Sequence, residues 1–206
     1  MDFTILAIFI PTVFFISITP GMCMTLALTL GMSIGVRRTM WMMMGELIGV
    51  AAVAVAAVLG VAALMLKLPE VFSIFKIVGA LYLAYLGIQM WLSKGKMAIT
   101  HNREATPTVS RKGLFMQGLV TAIANPKGWA FMISLLPPFI NPENSVAVQL
   151  SFLVGVIMVS EFICMMLYAT GGKSLGLLLA KAENVRVMNR ISGTLMMGVA
   201  LWLALS

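Results

Sequence analysis

The residues able to do chemistry in this chain are few, and they sit where hydrocarbon is expected around them. Glu46 and Glu161 are carboxylates in the middle of long apolar runs, and Lys127 is a cation in the middle of another. An ionisable group at that depth is costly unless it faces a partner or a water-filled cavity, which makes it a functional candidate. A carboxyl there can be neutralised by a proton or by a substrate ammonium, so it can exchange one for the other. The structural alternative is a Glu–Lys pair that only fixes helix packing.

Lys127 belongs to Ala122-Ile-Ala-Asn125-Pro126-Lys127-Gly128-Trp129, and an earlier apolar run carries Ser17-Ile-Thr19-Pro20-Gly21-Met22. Proline has no N–H, and its ring displaces the carbonyl four residues back, here Ile16 for Pro20 and Ala122 for Pro126. A helix that restarts after such a break offers unsatisfied N–H groups and the positive end of its dipole, which suit an anion. The expected donors are the backbone of Gly21 and Met22 and of Lys127 and Gly128. The freed carbonyls near Ile16 and Ala122 suit an ammonium or a water. Pro20, Gly21, Met22, Asn125, Pro126, Lys127 and Gly128 are therefore the expected substrate-binding set, with Glu46 and Glu161 handling a coupling proton or an ammonium. A lone proline in a membrane helix is most simply a kink. Two matched breaks, one with Asn125 and Lys127 beside it, favour a site.

Other chemistry has little to stand on. The sequence has no His/Cys/Asp cluster at metal-ligand spacing, no Gly-x-Ser-x-Gly and no phosphate loop, so neither a metal, a cofactor nor a catalytic residue is expected. His101 reads as a solvated loop residue. Cys23 and Cys164 fall inside apolar runs and make no disulfide framework. The 19 methionines read as pliant packing and lipid-facing residues.

The elements that must position these groups follow from composition. Apolar residues make up 61% of the chain and charged residues 10%, against roughly 45–50% and 25% in soluble domains, so the class is integral membrane and all-α. Six spans are expected, at about 3–34 (broken), 39–66, 71–92, 114–140 (broken), 145–170 and 188–206. The first is too long for one straight crossing of a ~30 Å core, and Pro11 and Pro20 allow it to bend. Met1-Asp2-Phe3 lacks a basic n-region and is expected to lead straight into that span.

Most of the 14 basic residues fall on alternate loops: Arg37 and Arg38; Lys94, Lys96, Arg103, Arg111 and Lys112; Lys173, Lys181, Arg186 and Arg190. Those loops are expected to be cytoplasmic and both termini periplasmic. The net charge of +7 is thereby a topology signal, and no nucleic-acid partner is expected. Residues 93–113 form a cytoplasmic linker between a first three-helix repeat, 1–92, and a second, 114–206. Pro20 answers Pro126, Glu46 answers Glu161, and Lys76-Ile-Val-Gly79 answers Arg190-Ile-Ser-Gly193. An odd number of spans per half inverts the second copy, and in such transporters the site lies at the repeat interface near the midplane. Lys76 and Arg190 lie near span ends, from which their stems can snorkel. Gly31-x-x-x-Gly35 and Gly45-x-x-x-Gly49 permit close helix approach, within a chain or between chains.

Pro20-Gly21, Gly35-Val-Arg37-Arg38, Gly45-x-x-x-Gly49, Tyr82-Leu-Ala-Tyr-Leu-Gly87, Asn125-Pro126-Lys127 and Leu136-Pro-x-Phe139 together resemble the LysE/RhtB family of bacterial amino-acid exporters. Met22 stands where that family's first motif usually has a second proline. The resemblance implies proton-driven export of an amino acid or close derivative through the bacterial inner membrane. A membrane-embedded enzyme or a lipid-handling protein using the same carboxylates is the reading from another class, and a passive channel is a third. Besides substrate and membrane lipid, the expected partner is a second copy, since 206 residues barely enclose a path.

Overall fold

The computed structural model describes residues 3–67, 69–93, 110–136, 139–141 and 144–205, and among these every regular element is a helix. In chain order they are α1 (Phe3–Ile18), α2 (Met22–Ile34), α3 (Val36–Lys67), α4 (Pro69–Leu92), α5 (Arg111–Ile123), α6 (Pro126–Leu135), α7 (Val146–Ala180) and α8 (Ala182–Leu205). The expected first span is α1 and α2, bent by 55° at the Pro20 break. The expected fourth is α5 and α6, interrupted at Ala124 and Asn125. Among the described residues two helices are long and apolar enough to cross a membrane, Val36–Gly60 and Val146–Gly172, or three if the bent pair is one span. Ile77–Leu92 is a shorter apolar helix.

Residues 94–109, most of the expected linker and with it His101, lie outside the described residues. The helix after the linker begins slightly earlier than expected, at Arg111. Ser110 caps it, its side chain accepting from Gly113 N at 3.1 Å, the usual use of serine at a helix start. Arg190 packs its guanidinium 4.7 Å from the centre of the Trp91 ring, which joins α8 to α4. The side chain of Lys76 lies outside the described residues.

Glycine sets the tightest contacts. A Cβ added at Gly45 would stand 1.9 Å from the Phe115 carbonyl oxygen, and one at Gly118 would stand 1.9 Å from that of Met42. At Gly49 it would meet the Ala122 side chain at 2.7 Å. The Gly45-x-x-x-Gly49 face is thus used within the chain, drawing α3 onto α5 until their backbones touch. Gly31 meets the backbone of Ala169 on α7 in the same way, at 2.5 Å. Gly87 and Gly193 face each other between α4 and α8. The core then forms two clusters: Phe9, Val13, Phe131, Leu135, Leu153 and Ile157 in one, Met24, Leu28, Met42, Met43, Met165 and Tyr168 in the other.

This packing is testable by bulk alone. Gly118→Val puts branched carbons against a backbone carbonyl, which no rotamer relieves, and is expected to cost about 3 kcal/mol or more. Gly155→Ala, where nothing lies within 4 Å, should leave stability unchanged or slightly raised. Thermal unfolding of the two purified variants in detergent compares them directly, and equal midpoints would contradict the contact.

Candidate functional site

Between the two helix breaks lies a cavity of about 60 Å³. It is lined by Gly21, Met22, Cys23 and Met24 from the start of α2, by Asn125, Lys127 and Gly128 from the start of α6, by Glu46 of α3 and by Glu161 of α7. Seven of the nine expected site residues therefore meet at one cavity. Pro20 and Pro126 are not among its lining residues, and their part is to create the breaks. Ile16, Ser17, Thr19, Val50, Val53, Ala122, Phe131 and Met132 complete the polar and apolar sides of the wall. Both core clusters contribute to it, Phe131 from one and Met24 from the other. The volume is room for a few waters or for the head of a small zwitterion.

The carbonyls freed at the breaks find new donors, a side chain at the first and the backbone N–H of Asn125 at the second. Pro20 leaves Ile16 O without its helical donor, and Lys127 Nζ donates to it at 3.4 Å. The donor at this carbonyl is thus a lysine of the protein's own second break. One residue on, Ser17 Oγ donates to Glu161 Oε1 at 2.8 Å. Tyr168 OH donates to Ile18 O at 2.8 Å, and Phe15 O accepts from Thr19 Oγ1 at 2.7 Å and from Ser192 Oγ at 2.8 Å. Thr19 and Ser192 also share a hydroxyl–hydroxyl hydrogen bond. At the second break Ala122 O accepts from the Asn125 amide at 3.2 Å and Ile123 O from Trp129 Nε1 at 2.8 Å.

The two restarted helices differ in what they still offer. In α6, Pro126 has no N–H, Asn125 Oδ1 accepts from the Lys127 amide at 3.1 Å, and the Trp129 amide donates to Asn125 O. The Lys127 amide, expected as a free donor, is therefore already used, because asparagine is a preferred cap at this position. In α2 the capping residue is Gly21, which has no side chain to give, so the first-turn amides carry no side-chain cap. The stronger anion end is that of α2, beside Met22, Cys23 and Met24.

The charges are arranged unevenly. Glu161 holds the Ser17 hydroxyl and lies in the field of Lys127. Glu46 is 1% exposed, and its Oε2 has no hydrogen-bond partner. Cys23 is an unbridged thiol lying 3.9 Å from Asn125 Nδ2. Among the described residues no group of three His, Cys, Asp or Glu is placed to hold a metal ion. The arrangement can hold a carboxylate and an ammonium about one small apolar side chain. Sequence reasoning missed Tyr168 and Ser192 as supports of the first break. Ser192 had a signal, since it lies in the Arg190-Ile-Ser-Gly193 repeat; Tyr168 had none.

Comparison with known proteins gives one family. The profile of a family described as LysE type translocator matches residues 14–206. A homoserine/homoserine lactone efflux protein of Salmonella typhimurium is 28% identical over 189 residues, 92% of this chain and 90% of that protein. A leucine efflux protein of an Enterobacter species is 30% identical over 195 residues, 93% of this chain and 90% of the relative. An uncharacterised membrane protein of Vibrio cholerae is 27% identical over 204 residues, 99% and 98% of the two chains. No solved structure matches.

Proposed function

Since the chain belongs to the LysE type translocator family, we propose that it exports a neutral amino acid or a close derivative through the bacterial inner membrane, in exchange for a proton. The observation that carries this reading is the convergence of Lys127, Glu46 and Glu161 on one small cavity between two helix breaks. The uncapped start of α2 and the ammonium of Lys127 receive the substrate carboxylate. A glutamate receives its ammonium. Val50, Val53, Phe131 and Met132 then face the side chain, which is uncharged because the described lining residues include no further ionised group to pair with it. The substrates named for two relatives, leucine and homoserine, are of this class.

The machinery is read as two inverted three-helix halves, 1–92 and 114–206, joined by a cytoplasmic linker. In its favour, α3 packs on α7 and α4 on α8, so counterpart helices of the two halves meet one another. The break in each half faces the same cavity, and one reaches across to the other through Lys127 and Ile16. The alternation of basic loops supports an orientation with both termini periplasmic.

Inside-out membrane vesicles loaded by overexpression test the whole reading. Radiolabelled leucine and homoserine should accumulate several-fold when the vesicle interior is acidified, and the accumulation should collapse with a protonophore. Accumulation that ignores the proton gradient would remove the antiport. Its absence for every neutral amino acid would remove the exporter reading itself.

A further inference from the structure

Glu46 and Glu161 line the same cavity in different company. Glu161 accepts from Ser17 Oγ at 2.8 Å and shares the field of Lys127. Glu46 is 1% exposed with an unpartnered Oε2. The titratable groups lining the cavity with it are Cys23 from α2, Lys127 from α6 and Glu161 from α7; α5, through Gly118, Leu119 and Ala122, brings none. Among the described lining residues Lys127 is the only cation, and its ammonium already donates to Ile16 O. One positive charge balances one carboxylate, and a second ionised carboxylate in this setting would be left without a counter-charge, its Oε2 also lacking a donor.

We infer that Glu46 is the group on which the transported proton and the substrate ammonium replace one another, while Glu161 remains the fixed counter-charge of Lys127. The inference rests on the exporter reading above and adds a division of labour to it. Before substrate enters, the Glu46 carboxyl carries the proton, which removes the need for a partner at Oε2. When an amino acid arrives from the cytoplasm, the O–H bond breaks and the proton passes to cytoplasmic water. The carboxylate so formed pairs with the substrate ammonium. After the site turns outward, a proton from the outside takes the carboxylate back and the ammonium leaves. One proton enters per substrate exported, and no other bond changes.

Infrared difference spectroscopy on the full-length protein in liposomes reads the proton directly. Substrate-free protein should show the carbonyl stretch of one buried protonated carboxyl, and adding leucine or homoserine should remove it. Glu46→Gln should lack the band, and Glu46→Asp should shift it. The doubly neutral variant Glu161→Gln/Lys127→Met should keep it, which separates loss of the proton site from loss of the fold. A band that survives Glu46→Gln and disappears in the double variant would overturn the assignment in favour of Glu161. A wild type with no such band would overturn it outright. If the band maps to Glu46 and no amino acid tested perturbs it or is transported, the proton site stands and the exporter reading fails.

Discussion

Lys127→Met is expected to reduce export by about a hundredfold at equal amounts of protein in the membrane, the loss of roughly 2.7 kcal/mol. Two physical losses add. The variant keeps the aliphatic stem but removes the ammonium that would face a substrate carboxylate beside the start of α2. It also frees Ile16 O, which the Pro20 break leaves with no helical donor and which Lys127 Nζ now satisfies at 3.4 Å. Lys127→Arg should restore only part of the rate, because a planar fork on a longer reach fits a cavity of about 60 Å³ poorly. An amidated analogue of a transported amino acid should compete weakly against the acid in the wild type. Equal competition by amide and acid, with normal transport by Lys127→Met, would make the residue a packing tether and move the carboxylate site elsewhere.

What could be read from the sequence here is what hydrophobicity and proline dictate locally. Pro20 and Pro126 located both breaks because no donor can be supplied at those positions in any fold. Glu46 and Glu161 stood out because their neighbours in sequence are apolar, and depth in a span is a local property. What was not legible depends on which surfaces meet. Gly45-x-x-x-Gly49 announced a close approach but not its partner, and only α5 with Gly118 makes it an internal contact. Asn125 carried two possible uses, cap or ligand; its Oδ1 is spent on the Lys127 amide, which leaves α2 as the less satisfied anion end. Tyr168 supports Ile18 O from a distant helix, and a tyrosine in an apolar run gives no sign of where its hydroxyl will point. The direction of Lys127 belongs to the same class: the charge was evident, and its reach to the opposite break was not.

That reach also governs the second large effect, on the folded protein and not only on its turnover. Glu161→Gln alone leaves the Lys127 ammonium without its counter-charge, and Lys127→Met alone leaves Glu161 with only the Ser17 hydroxyl. Removing one of two opposite charges buried on the same cavity costs about 1–3 kcal/mol, whereas replacing both by neutral groups is often tolerated. Each single variant should therefore unfold at a markedly lower temperature in detergent. The double variant Glu161→Gln/Lys127→Met should recover much of that loss, with a coupling energy of about 1–3 kcal/mol from the cycle. Recovery of the fold should bring no recovery of export, since the double variant still lacks the group proposed to meet the substrate carboxylate. Strict additivity of the two single losses would mean that Lys127 and Glu161 do not share a field. Export restored together with stability would mean that the pair is a structural strut and that the substrate is held by other groups of the cavity. The combination expected here, a fold restored and a transporter still silent, is what opposite charges placed inside the proposed binding site require.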